Sequence, residues 1–299
     1  MNNNIEDIYE NYINFKNKIN ISFEMFPYSN NLSKKKFNNS FLKLCKIKPD
    51  FFSITCSQNY GGNYKTYNLI KKIKKKTKTE IIPHFTCLGY SKTEIKNIAI
   101  NYWNLGIRKI LALRGDNFSN KLNNIFSNAS DFVYELKKIK DFKIFVAAYP
   151  EIHPESKNKK EDIYNLKKKF DNGANRAITQ FFFNVDNYLK FRDECFNYGI
   201  KKEIIPGILP IYDLFQLKKF ASMTNVYVPK FIYNIFNSIK NNSNSYKIIS
   251  SIILMNIINK LFLEGVRSFH FYTLNRADIV FSIGYLLKIK KNNFSSIIQ

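Results

Sequence analysis

Short apolar segments alternate with longer segments of helical periodicity along most of this chain. Eight of the short segments are rich in β-branched and aromatic residues, and several are apolar at almost every position, as strands covered on both faces must be. We therefore predict eight buried strands. Their ranges are Asn20–Phe26, Phe51–Thr55, Glu80–Thr86, Arg108–Arg114, Lys143–Tyr149, Arg176–Phe183, Glu203–Leu209 and Val266–Thr273.

The segments between the predicted strands have the apolar spacing of helices. Ile163, Leu166 and Phe170, for example, lie at i, i+3 and i+7. Strand–helix alternation repeated eight times predicts an α/β fold, a single (β/α)8 TIM-type barrel, although a doubly wound open sheet would give a similar pattern. The gap before the last strand is the longest and predicts extra helices between strands 7 and 8, around Lys230–Ser238 and Ile248–Phe262.

Length and composition add expectations about domains and compartment. The 299 residues suit one barrel, which needs roughly 250, and no Pro/Gly/Ser-rich linker divides them, so we expect one domain over residues 1–299. The polar start lacks a signal-peptide core, and no apolar run reaches the roughly 18 residues that span a bilayer. We expect a cytoplasmic protein without a membrane partner. Scattered cysteines without metal-ligand spacing indicate buried thiols and no metal: Cys45, Cys56, Cys87 and Cys195.

The formal net charge of +24 is the main argument for a different class of function, a basic nucleic-acid-binding protein. Lysine supplies almost all of this charge, whereas nucleic-acid sites favour arginine at base edges. The lysine runs fall on predicted outer helices among abundant Asn and Ile, the residues that an AT-rich genome encodes. We interpret the charge as mutational drift on solvated faces and expect no nucleic-acid partner.

Polar residues at the ends of the predicted strands are the first candidates for chemistry, because barrel enzymes carry their active sites there. Each one has a structural alternative. Glu24 is either a general acid with a pKa raised by burial or a salt-bridged structural carboxylate. Asp116 is either functional or a helix cap, and His84 either functional or a hydrogen-bonded core histidine. Asp162, Asn165 and Lys169 share one face of a predicted helix, and taken alone they indicate a solvated face. GxGxxG, P-loop and HExxH motifs are absent.

Seven motifs, in this order, resemble those of the bacterial methylenetetrahydrofolate reductase family. They are SFEMFP, PHFTC, ALRGD, VAAYPEIHPES, NGANRAITQFFF, EIIPGILP and FHFYTLNRA, and the resemblance extends from about Ile21 to Asp278. It implies a (β/α)8 barrel with FAD at its C-terminal mouth. It also implies reduction of 5,10-methylenetetrahydrofolate to 5-methyltetrahydrofolate for methionine synthesis, with NADH or NADPH as reductant in a ping-pong reaction.

The resemblance further implies a homo-oligomer, expected to be a tetramer. After the eighth strand we expect no C-terminal regulatory domain of the kind that senses S-adenosylmethionine in eukaryotic relatives. The alternative enzyme is another flavin-dependent barrel oxidoreductase such as a proline dehydrogenase. Such an enzyme should lack the NGANRAITQFFF motif, so we favour the reductase.

The resemblance assigns roles to individual residues. Glu24 matches the acid that protonates folate, Asp116 the carboxylate beside flavin and pterin, and Gln180 the amide that contacts pterin and nicotinamide. The implied substrate contacts are Asp116, Gln180, Gln216, Phe220, Tyr272 and Arg276. The implied FAD contacts are Thr55, Cys56, Gln58, His84, Leu113, Arg114, Gly115, Asp116, Ala129, Ala147, Tyr149, His153, Ser156, Asp162, Asn165, Lys168 and Lys169.

One segment departs from the family pattern. Where the family usually has a TYGA-type turn, this chain has Thr55, Cys56, Ser57 and Gln58. Gln58 is bulkier than the small residue expected against the flavin, so we expect an altered local contact and altered FAD affinity.

Overall fold

The computed structural model describes residues 19–56, 62–115, 126, 128–239 and 243–288. Eight parallel strands close into a barrel in the order β1 to β8, with β8 paired to β1. The predicted barrel is therefore confirmed, and each of the eight predicted segments overlaps one strand, although the sixth strand begins at Ala174, two residues before its predicted start. The strands are β1 Asn20–Met25, β2 Phe51–Ile54, β3 Glu80–Thr86, β4 Lys109–Leu113, β5 Lys143–Ala148, β6 Ala174–Phe181, β7 Ile204–Ile208 and β8 Ser268–Tyr272.

Ten helices in the described residues surround the strands. Three of them lie between β7 and β8, which confirms the extra helices expected in the longest gap. The helices are α1 Asn31–Cys45, α2 Gly62–Ile73, α3 Lys92–Asn104, α4 Ala129–Ile139, α5 Lys159–Asp171, α6 Val185–Asn197, α7 Leu214–Thr224, α8 Lys230–Ser238, α9 Ser243–Leu263 and α10 Asp278–Lys288.

Short polar residues fix where many of these helices begin. A side-chain oxygen just before the first turn accepts a hydrogen bond from a backbone N–H that has no partner inside the helix. Six helices have such a cap, which fixes the direction in which the chain leaves each loop. The capping residues are Asn30, Ser91, Asn128, Asn158, Asn184 and Asp213.

The barrel interior changes character along its axis. Its lower part is an apolar cluster of one residue from each of six strands: Phe51, Ile82, Leu111, Phe145, Ile178 and Ile205. Alternate residues of a strand face the same side, so the residue two positions further on also faces inward, nearer the C-terminal end. There Ile82 is followed by His84, and Ile178 by Gln180. The same alternation that fills the core thus supplies polar groups at the mouth.

The longest helix, α9, packs across the outside of the barrel. It is the one described helix long and apolar enough to cross a membrane, judged by length and composition alone. Its residues Leu254, Ile258 and Leu261 are almost fully buried in the hydrophobic core. Core helices of this length meet the same criterion, so α9 is weak evidence for a membrane span.

Candidate active site

A cavity of about 350 Å³ opens at the C-terminal end of the barrel. Residues from all eight strands or the loops that follow them reach it, and α7 covers one side. Ten of the residues predicted from the sequence line this cavity: Glu24, Thr55, Cys56, His84, Leu113, Ala147, Tyr149, Gln180, Phe220 and Tyr272. The closed barrel therefore brings together side chains that lie far apart in the sequence.

Glu24 and His84 meet inside the cavity, and both are buried. The Oε2 atom of Glu24 lies 3.4 Å from Nε2 of His84, and each side chain is 8% exposed. Burial raises the pKa of Glu24 to about 8 and lowers the pKa of His84 to about 3. Because burial disfavours both charged forms, the pair is neutral near pH 7 and Glu24 retains a proton that it can donate.

His270 is a cavity residue that sequence reasoning missed. It is fully buried on β8, with Nδ1 2.7 Å from the hydroxyl of Ser22 and Nε2 3.3 Å from that of Ser53. Its ring stacks on Phe51, and burial lowers its pKa to about 3. The available signal was strand alternation, since His270 precedes Tyr272 by two residues and must face the same interior.

Tyr272 of β8 reaches across β7 to contact β6. Its hydroxyl donates a 2.6 Å hydrogen bond to the carbonyl of Thr179, whose own hydroxyl accepts from the backbone N–H of Gly207. A Cβ at position 207 would lie 2.2 Å from the Thr179 carbonyl oxygen and 2.6 Å from the Tyr272 ring. Glycine at this position therefore makes room for the tyrosine and the bond that holds it.

The remaining cavity residues offer a mixed polar and apolar lining. Gln180 turns its amide oxygen to its own chain, accepting from the N–H of Phe181 at 3.0 Å. Its amide group is therefore held in one orientation at the cavity wall. The hydroxyl of Thr55 is buried and has no hydrogen-bond partner among the described residues. Phe220, on α7, adds an aromatic face. Such a lining suits a flat ring system with polar edges.

A second polar region, which we call the charged rim, borders the cavity where β4 and β5 end. Lys169 of α5 donates to the carbonyl of Ala147 at 3.0 Å. Asp162 accepts from the backbone N–H of His153 at 3.0 Å and from Ser156 at 3.4 Å. Burial lowers the pKa of Lys169 to about 8, and nearby Asp162 opposes that shift. Asp162 and Lys169, two of the α5 residues predicted as FAD contacts, therefore bond to the end of β5 and the loop that follows it.

An arginine–carboxylate pair completes the charged rim. Arg114 donates to Glu155 at 2.6 Å, and this bond lowers the pKa of Glu155 and raises the pKa of Arg114. Gly115 follows with φ of +96°, and a Cβ there would lie 3.2 Å from that of Thr86. The backbone therefore passes close to β3 in a conformation that favours glycine.

The other predicted residues lie outside the cavity or outside the described residues. Ala129 is the first residue of α4, Asn165 and Lys168 are exposed on α5, and Gln216 is one turn before Phe220 on α7. Arg276 lies 4.7 Å from the ring centre of Tyr212 and lines a separate cavity of about 510 Å³. Gln58 and Asp116 lie outside the described residues.

The arrangement can hold a planar ring with an anionic tail. The cavity offers a protonated carboxyl, an amide and an aromatic ring, while the charged rim offers two cations, Arg114 and Lys169. Among the described residues no group of three or more His, Cys, Asp or Glu side chains could hold a metal ion. Catalysis by proton transfer and hydrogen bonding is the chemistry that this lining supports.

Fold and cavity together define a (β/α)8-barrel enzyme with its chemistry at the C-terminal mouth. The family model described as methylenetetrahydrofolate reductase matches residues 8–287. A 5,10-methylenetetrahydrofolate reductase of Buchnera aphidicola subsp. Schizaphis graminum is 54% identical over 273 residues, 91% of this chain and 93% of that relative. That of Escherichia coli K12 is 46% identical over 273 residues, with coverages of 91% and 92%. The chain therefore belongs to the methylenetetrahydrofolate reductase family and is an oxidoreductase.

A solved structure shares the fold at low sequence identity. It is an uncharacterized protein from Clostridium thermocellum, described as binding two copies of 5-methyl-5,6,7,8-tetrahydrofolic acid. The TM-score is 0.64 at 16% identity, covering 94% of this chain and 98% of that chain. At this identity the likeness supports the barrel architecture alone.

Proposed function

We propose that this protein is an FAD-dependent methylenetetrahydrofolate reductase. It transfers hydride from NADH, or alternatively NADPH, through FAD to 5,10-methylenetetrahydrofolate and gives 5-methyltetrahydrofolate for methionine synthesis. The observation that carries the proposal is Glu24, a carboxyl group in a dry cavity whose pKa of about 8 keeps it protonated near neutral pH. Opening the five-membered ring of the folate requires a proton on the departing nitrogen, and Glu24 is suited to supply it.

The residues present fit FAD, on three observations. The Thr55 hydroxyl is buried at the cavity without a hydrogen-bond partner in the described chain, as expected of a group that awaits a ligand. Gly115 has no side chain, so its backbone lies close to β3 at the rim and is open to a ligand. Arg114 and Lys169 are cations within reach of the mouth, where a diphosphate could bind. When bound, FAD would supply the two-electron chemistry between nicotinamide and folate.

The lining residues orient the substrates and exclude water. Gln180, held by its bond to the backbone of Phe181, can present its amide group to pterin or nicotinamide. Phe220 can cover either ring from α7. Since a single cavity would hold both partners, they bind in turn, which supports a ping-pong reaction. Asp116 keeps its predicted role beside flavin and folate, and Gln216 and Arg276 their predicted substrate contacts.

The setting of the enzyme is part of the same proposal. We propose a cytoplasmic homo-oligomer, a tetramer by family resemblance, with one catalytic domain and neither a nucleic-acid nor a membrane partner. The exposed apolar side chains of Ile248 and Ile252, one turn apart on α9, support association because neighbouring large apolar groups on a surface favour burial between subunits.

The test is the colour and the two half-reactions of the purified protein. We expect flavin absorption bands, release of FAD on denaturation, bleaching by NADH in the absence of oxygen, and recovery of the bands on addition of 5,10-methylenetetrahydrofolate. A folded preparation that stays colourless and takes up no added FAD would contradict the cofactor. Bands that bleach but do not recover with the folate would contradict the substrate.

A further inference from the structure

We infer that His84 is the positioning residue of Glu24, and that its Nε2–H donates a hydrogen bond to the carboxylate that Glu24 becomes when its proton leaves. The inference rests on the proposed role of Glu24 as proton donor. In this role His84 acts on Glu24, in addition to any contact that it makes with a bound cofactor.

The geometry places Nε2 of His84 beside the carboxyl group of Glu24. Nε2 of His84 is buried, has no hydrogen-bond partner within the described part of the chain, and lies 3.4 Å from Oε2 of Glu24. Nearly all buried polar atoms have a partner. A typical N–H···O bond is about 2.9 Å long, so a small side-chain rotation would complete this one.

The need for a donor begins when Glu24 loses its proton. A neutral carboxyl group is tolerated in a dry cavity, but a buried carboxylate without a partner is costly. Among the described residues, no Lys, Arg or Asp lines the cavity. The polar or titratable groups that line the cavity with Glu24 are Thr55 and Cys56 after β2, His84 on β3, Tyr149 after β5, Gln180 on β6, Thr224 on α7, and His270 and Tyr272 on β8.

Several of these groups already serve other partners. The Tyr272 hydroxyl donates to the Thr179 carbonyl, and the Gln180 amide oxygen accepts from its neighbour's backbone. The ring of His270 lies between two serine hydroxyls. Of the two cavity imidazoles, His84 is the one with a buried nitrogen that lacks a hydrogen-bond partner among the described residues, and this nitrogen lies beside Glu24.

A neutral donor serves better here than a charged one. A cation beside Glu24 would lower the pKa of the acid and remove the proton it must deliver. The pKa of His84 is lowered to about 3 by burial, so the imidazole stays neutral while Glu24 titrates. A neutral N–H stabilises the carboxylate without forcing early ionisation. The acid thus remains protonated before the transfer and is stabilised after it.

The experiment measures the pKa of Glu24 directly in the purified protein. Infrared spectra across pH follow the band of the protonated carboxyl, which is assigned by its loss in Glu24→Gln. Three variants are compared with the wild type: His84→Leu, which has no donor; His84→Gln, whose amide nitrogen reaches about as far as Nε2; and His84→Asn, whose shorter amide does not.

We expect the pKa of Glu24 to rise by about one unit, a tenfold change in its ionisation, in His84→Leu and His84→Asn and to stay near the wild-type value in His84→Gln. Thermal melting checks that each variant folds, and the asparagine variant replaces the leucine variant if the latter does not. An equal pKa in all proteins, or equal shifts in the asparagine and glutamine variants, would overturn the inference.

The outcome is separable from that of the proposed function. The infrared titration needs neither FAD nor folate, so it remains informative if the wild type fails to reduce the folate. If the wild type reduces the folate but the pKa of Glu24 is unchanged in the His84 variants, only the positioning role of His84 is contradicted.

Discussion

The cavity and the charged rim contain the same kinds of side chain in different electrostatic surroundings. In the cavity, Glu24 and His84 face each other without a counter-charge, and burial alone shifts both pKa values toward the neutral forms. In the rim, Asp162 and His153 are also shifted by burial, but a hydrogen bond from the His153 backbone and the charge of Lys169 oppose the shift of Asp162, while the charges of Asp162 and Glu155 oppose that of His153. The rim can therefore keep charge where the cavity suppresses it.

The difference follows from the elements that carry each region. Cavity side chains project from strands into a closed barrel, where neighbours on all sides exclude water. Rim side chains project from the loops after β4 and β5 and from α5, where one side remains open to solvent. A proton donor benefits from the first environment and an anion-binding site from the second. One barrel mouth thus offers both a neutral acid and fixed cations.

The largest expected effect comes from removing the cavity acid. In Glu24→Gln we expect folate reduction to fall by roughly 10² to 10⁴ while reduction of the flavin by NADH continues, because only the folate step needs a proton donor. Stopped-flow absorbance resolves the two half-reactions. If both slow equally, Glu24 is a structural carboxylate and the cavity is not specialised for proton transfer.

The same substitution should change how stability depends on pH. The folded-state pKa of Glu24 is raised from 4.5 to about 8, so the unfolded chain releases this proton first. Its contribution to stability is fully present below pH 4.5 and is lost as pH rises to about 8. Glu24→Gln should therefore gain stability over the wild type across this window, by on the order of 2 to 4 kcal/mol.

Urea denaturation at several pH values measures this difference. The gain should grow with pH and level off once the wild-type carboxyl ionises in the folded protein. A difference that stays constant with pH would mean that the folded-state pKa of Glu24 is close to its unfolded value, and the contrast between cavity and rim would disappear.

The smallest effect is expected at the rim. Arg114 lowers the pKa of Glu155, so this pair contributes stability above the unfolded pKa of Glu155 and loses it as pH falls, opposite in sign to Glu24. Glu155 is 59% exposed, and exposed pairs contribute little. Glu155→Gln should change the free energy of unfolding by less than about 0.5 kcal/mol, again by urea denaturation. A larger loss would show that the rim is as tightly packed as the cavity.

Much of the fold was readable because strands and helices follow from local spacing. Phe51 to Ile54 and Ile204 to Ile208 are apolar enough to be buried strands in any context, and both form strands. The strand ends also indicated Glu24, His84 and Gln180, which all line the cavity. Burial of Glu24, the condition for its role as an acid, was expected from the apolar strand around it.

What the sequence could not reveal are pairings between distant segments. His84 follows Glu24 by 60 residues, and Ser22 meets His270 across 248 positions, yet both contacts form inside one barrel. The sequence by itself determined the strands, the helices and the set of polar residues at the strand ends, because these depend on neighbours along the chain. Only the closed barrel decided which of them share a dry cavity and which stand at a solvated rim. Exclusion of water and proximity of charge are properties of the three-dimensional arrangement.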